Sequence, residues 1–145
     1  MKMVKKIICL LLTLAVLTCA MTTTLSAIST IAAPAPGIGV QWVSTDTASA
    51  TLTVVDGLAT ITTVINGKLN VATRIEVEIR LYLLQNGEWR DTGIYITDYV
   101  SGSHFGNSWQ RGVILKGTYQ AEVIARVYSP NGMDTIYMYP TYEHK

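Results

Sequence analysis

Cysteine is almost absent from this chain, and its two occurrences, Cys9 and Cys19, both fall within the first twenty residues. Everything downstream lacks a thiol, which excludes a disulfide framework and a thiolate metal site there. A fold made from that part is held by packing alone. Charge is missing too, with no Asp, Glu, Lys or Arg between Lys6 and Asp46. Long apolar runs are also lacking. The purest one, IICLLLTLAVL from Ile7 to Leu17, is shorter than the roughly 20 residues that span a bilayer.

That short run has the setting of an export signal: Lys2, Lys5 and Lys6 precede it and small residues follow it. Small-x-small cut sites lie after Ala20 (Thr18-Cys19-Ala20), Ser29 (Ala27-Ile28-Ser29) and Ala32 (Thr30-Ile31-Ala32). The third is favoured, because Pro34-Ala35-Pro36-Gly37 then forms an extended linker. The chain accordingly divides into a helical signal peptide with its cleavage region at 1–33, an extended N-terminal linker and possible first strand at 34–48, and a β-sandwich domain at 49–145. Serines and threonines after the apolar run speak against an uncleaved anchor. Val16-Leu17-Thr18-Cys19 resembles a lipobox, which offers lipoprotein anchoring through Cys19 as an alternative. Threonine is not the usual small residue before that cysteine. The expected product is secreted and extracellular, without membrane contact after cleavage.

Removing the three lysines from eleven basic residues leaves eight against ten acidic ones, a net charge of −2. A nucleic-acid partner needs a basic face, so none is expected. No segment after Gly39 shows the spacing of an amphipathic helix, whereas alternation with a period of two recurs along the domain. In Arg74 to Gln85, Ile75, Val77, Ile79, Leu81 and Leu83 fall on one face and Arg74, Glu76, Glu78, Arg80 and Tyr82 on the other. Thr118 to Tyr128 repeats this with Tyr119, Ala121, Val123, Ala125 and Val127. Weaker strands are expected at Gln41–Thr45, Ala50–Val55, Leu58–Ile65, Glu88–Ile96, Val113–Leu115 and Asp134–Tyr142. Asp56-Gly57, Asn66-Gly67, Asn86-Gly87 and Asn131-Gly132 end alternating runs and tolerate the positive φ of tight hairpins.

Seven or eight such strands predict an all-β fold, an immunoglobulin-like two-sheet antiparallel β-sandwich. Leu115-Lys116-Gly117-Thr118-Tyr119 has the spacing of a tyrosine corner, in which a strand-initial tyrosine bonds back to upstream backbone. The stretches IEVEIRLYLLQNGEW and KGTYQAEVIARVYSPNG resemble small secreted proteins of Gram-positive bacteria that pair a signal peptide with one immunoglobulin-like sandwich. The resemblance covers Leu52 to Tyr142. It implies fold and export, and it carries no activity.

Glu76 and Glu78 stand about 7 Å apart on one strand, within reach of glycosidase chemistry. Arg74 and Arg80 flank them, however, and cations favour the charged carboxylate over the protonated acid that such chemistry needs. A solvated charge ladder is the expectation. His104 with Asp98, Ser101, Ser103 and Ser108 supplies the residue types of a triad without the strand-to-helix elbow that exposes a nucleophile. His144 has no partner at ligand spacing, and the hairpin turn accounts for Asn131 and Asp134. No catalytic residue, metal or cofactor is therefore expected, and the chain does not read as an enzyme.

Between Thr97 and Gly112 the alternation breaks into TDYVSGSHFGNSWQRG, which reads as a long loop holding Tyr99, Phe105 and Trp109. These three either pin the loop to the sheets or form a ligand-binding surface. Further rings at Trp89, Tyr95, Tyr128, Tyr137 and Tyr139 sit on strands, and some must face outward if Ile136 and Met138 are buried. The expected function is a secreted non-catalytic module that binds an extracellular glycan or protein. The alternatives are a structural or self-assembling adhesin-like component, or a secreted antimicrobial or toxin protein.

Overall fold

The computed structural model describes residues 29–32 and 42–144. The expected signal peptide, Gln41 and most of the linker lie outside them. Nine antiparallel strands occur among the described residues: β1 Ser29–Ala32, β2 Thr45–Val55, β3 Leu58–Gly67, β4 Arg74–Gln85, β5 Glu88–Ser101, β6 His104–Gly112, β7 Gly117–Ser129, β8 Gly132–Met138 and β9 Thr141–His144. One sheet has the order β1-β2-β3-β6 and the other β5-β4-β7-β8, with β9 also pairing β7. The two pack as an all-β sandwich, as the alternation requires.

Each sheet turns its apolar alternates inward. Leu52, Ile61 and Ile65 from the first sheet and Ile75, Ile79, Leu81, Val123 and Val127 from the second are fully buried. Burial of each such side chain is worth about 1.5 to 3 kcal/mol. Tyr119 begins β7 inside this core, and its hydroxyl donates to the Leu115 carbonyl at 2.6 Å, forming the expected tyrosine corner. Three hairpins form where expected, the one between β7 and β8 turning at Pro130-Asn131 with Gly132 already paired to Ser129. Asp56-Gly57 and Asn86-Gly87 both adopt positive φ at each residue, the geometry whose twist suits adjoining strands.

Five expectations need correction. The stretch from Thr97 to Gly112 is no loop: β5 runs on to Ser101, Gly102-Ser103 turn the chain, and β6 follows. Only Phe105 and Trp109 of β6 bury against the core, and exposed polar residues and glycines fill its other positions, so the alternation is faint. Asn66-Gly67 closes no hairpin and instead ends β3, where a Cβ on Gly67 would stand 2.4 Å from that of Ala72. Glycine there answers to close packing rather than to a turn. Val113–Leu115 lies outside the strands and is tied by the Val113 N–H to the Gly57 carbonyl. The Asp134–Tyr142 run is divided at Pro140, which cannot donate to a ladder and whose own carbonyl accepts from Ala121.

At the start of the domain, strand geometry begins at Thr45 rather than ending there. Asp134 on β8 organises this entry. Its carboxylate accepts from the backbone N–H groups of Val43 and Ser44 at 3.0 and 2.7 Å and from the Thr45 hydroxyl at 2.9 Å. In the sequence Asp134 reads only as part of its hairpin. In the fold it clasps the lead-in of the first sheet to the second.

Candidate functional site

The two outer faces of the sandwich are chemically unlike. On the first sheet the outward positions include Ser49, Thr51 and Thr53 of β2, Thr60, Thr62 and Val64 of β3, and Ser108 and Gln110 of β6, with Val55 and Leu58 at one end and Asn66 and His104 at the other. This face is short-chained and nearly uncharged. On the second sheet the outward positions carry seven of the chain's twelve aromatic rings: Tyr82, Trp89, Tyr95, Tyr99, Tyr128, Tyr137 and Tyr139. Alternation forces this, since every strand whose even or odd members fill the core must present the others to solvent.

Cross-strand register assembles these rings with charges. On β4 the row Arg74, Glu76, Glu78, Arg80, Tyr82 meets Tyr99 and Tyr95 of β5 on one side and Tyr128, Arg126 and Glu122 of β7 on the other. Arg74 and Arg80 pair with Glu76 and Glu78 at 2.7 and 3.0 Å, and Arg126 reaches Glu78 at 3.6 Å. The same two arginines lie over the rings of Tyr99 and Tyr95, 4.8 and 5.5 Å from their centroids. Tyr128 donates to Glu76 at 2.7 Å, and Tyr82 to Glu122 at 3.2 Å. The expected charge ladder is therefore in place. These contacts pre-organise the middle of the face, while Tyr99, Tyr95, Tyr137 and Tyr139 keep 64%, 55%, 55% and 44% exposure at its flanks.

The phenols respond to this setting. The hydrogen bond to Glu76 raises the Tyr128 hydroxyl above the ordinary tyrosine value, with burial adding to it. Burial, reinforced by Glu122, does the same for Tyr82 and Tyr139. All three remain neutral donors through neutral pH. Beside Tyr99, an open depression of about 290 Å³ is walled by Glu76, Glu78, Thr97, Asp98 and Arg126.

The three rings singled out from sequence do not share one surface. Tyr99 belongs to the outer face just described. Phe105 is buried at 4% exposure and stacks on Trp109 with ring centroids 6.0 Å apart, and Trp109 is half-buried against the core at the edge of the other sheet. Tyr95, Tyr137 and Tyr139 were visible as strand rings. Their convergence with Tyr99 was not, because it depends on β5 and β8 flanking β4 and β7.

Triad residue types are also dispersed. His104 Nδ1 meets the Asn66 carboxamide at 2.7 Å, Asp98 accepts from Asn107 at 2.7 Å, and the Ser108 hydroxyl bonds Thr62 at 2.9 Å. Among the described residues no three His, Cys, Asp or Glu side chains gather as metal ligands. No helix of theirs is long and apolar enough to cross a membrane. A second cleft of about 300 Å³ opens at one end of the sandwich, lined by Leu83, Ile94, Val113, Ile114, Leu115 and Tyr119. Compared with known protein families and with curated proteins, the chain matches none.

Proposed function

We propose that this chain is an exported, non-catalytic binding module that engages an extracellular protein surface through the outer face of the β5-β4-β7-β8 sheet. The observation that carries the reading is the asymmetry between the two outer faces: seven tyrosine and tryptophan rings and a paired charge row on one, mainly short polar and aliphatic side chains on the other. Tyrosine and arginine are enriched among the residues that dominate protein interfaces, tyrosine because it buries much area for few torsions. Here the arginines are held by carboxylates and rings, so little side-chain freedom is left to lose on association. Beneath the face the buried side chains of both sheets form one apolar core, which gives it a rigid support.

A second reading is favoured by the polar depression beside Tyr99, whose one aromatic wall and several carboxylates suit a sugar ring of an extracellular glycan. One experiment addresses both. Replacement of Tyr95, Tyr99 and Tyr137 by Ala is expected to leave the thermal midpoint unchanged and to weaken capture of the protein target at least about 30-fold, the effect of losing one interface hot spot. A glycan array run with the same variants separates sugar from protein. Undiminished capture by the triple variant contradicts the face as the site.

A further inference from the structure

Without β1 beside it, β2 would be the least protected edge of the two sheets. Its eleven residues, TDTASATLTVV, hold a single charge at Asp46 and no proline, lysine or glycine. The other edges are blunted: β5 carries a bulge at Asp91–Gly93 with Gly93 at positive φ, β6 carries Arg111 and glycines, and β8 stops before Pro140. Such devices prevent edge-to-edge pairing. What β2 has instead is β1, paired antiparallel to it in the register Ser29↔Thr51, Thr30↔Ala50, Ile31↔Ser49 and Ala32↔Ala48. The strand that covers the most vulnerable edge thus lies inside the segment that a cut after Ala32 discards. A cut after Ser29 discards its first residue.

We infer that export processing falls after Ala20, upstream of β1, so that Ser29–Ala32 stays in the mature chain as the strand that closes the β2 edge. The substrate feature is the Thr18-Cys19-Ala20 group, presented to a signal peptidase that takes small residues at those positions. Spacing supports this independently. Ala20 lies three residues beyond the apolar run that ends at Leu17, the close setting of an export cut, whereas Ala32 lies fifteen beyond it. The expectation of a cut after Ala32, drawn from the proline-rich linker, gives way to the demand of the sheet.

This inference rests on the export reading, and the two fail differently. Expression of the full chain in an exporting bacterium, with mass spectrometry of the medium, is expected to find a chain beginning at Met21. A secreted chain beginning at Thr30 or Ala33, or at a lipid-bearing Cys19, overturns the cut position while leaving export intact. Full-length chain held in the membrane fraction overturns both. Ala20→Leu is expected to block processing and Ala32→Leu to leave it unchanged; the reverse pattern overturns the assignment. The capping role has its own readout. Neighbouring residues on a strand donate to opposite sides, so Thr30→Pro with Ile31→Pro removes at least one donor from the β1–β2 ladder. The secreted double variant is expected to self-associate with rising concentration in sedimentation, where the parent chain stays at one mass. Identical sedimentation of the two means that β1 does not close the edge.

Discussion

Thr63 sits between Ile61 and Ile65 on the inner face of β3, fully buried, and its hydroxyl is the one buried side-chain polar atom among the described residues without a hydrogen-bond partner. Such a group loses its water and gains nothing in return. Valine has nearly the same shape without the hydroxyl. Thr63→Val is therefore expected to stabilise the domain by about 1 kcal/mol, seen as a higher midpoint in urea with an unchanged slope. The Tyr119 hydroxyl is the opposite case, because its donor is satisfied by the Leu115 carbonyl within the core. Tyr119→Phe is expected to cost about 1 to 2 kcal/mol by the same measurement, since a carbonyl then loses its partner. Loss of less than a few tenths would mean that the corner contributes geometry and no stability.

Among the elements, β4 and β7 were the most legible in the sequence. Each places five apolar residues on one face, and the observed β4 has the expected bounds of Arg74 to Gln85. Both lie in the interior of their sheet, where two neighbours and a packed face impose strict alternation. Edge strands escape that discipline. Strand β6 pairs on one side only, and its Gly106, Asn107 and Ser108 read as loop chemistry although they form a regular ladder with Val64, Thr63 and Thr62. The proposed binding face is legible in part: the sequence places the rings on strands, but not which strands lie side by side. Asp134 was invisible as a clasp because its partners, Val43 to Thr45, are about 90 positions away. Asp134→Ala strips two backbone donors and one hydroxyl of their acceptor, with Ser44 and Thr45 both buried. The expected cost is about 2 to 4 kcal/mol, with hydrogen exchange accelerating first at Ser44 and Thr45. Uniform acceleration across both sheets would instead assign the clasp to the global core.

At the scale of the whole molecule, the sandwich separates a core that fixes the fold from faces that are free to serve other ends. Its pH response follows from the phenols. Burial raises Tyr119 above the ordinary value near 10, and Tyr82, Tyr128 and Tyr139 are raised on the outer face. The unfolded chain then gives up these protons at lower pH than the folded one. Stability from this source is fully present below about pH 10 and is lost as pH climbs through the folded values. Denaturant midpoints are expected to hold steady from neutral pH to about 10 and to fall above it, together with the rise of tyrosinate absorbance. An unchanged midpoint while all eight tyrosines ionise would show that none is coupled to the fold.

The central claim is that one outer face meets a partner and the other does not. Position 99 and position 110 probe the two faces, since Tyr99 is an exposed ring opposite Glu76 and Gln110 an exposed outward residue opposite Thr60. A photo-crosslinking amino acid placed at each position in turn, in cells that export the chain, traps whatever lies against it. A higher-mass adduct is expected from position 99 and none from position 110. An adduct from position 110 with none from position 99 contradicts the claim.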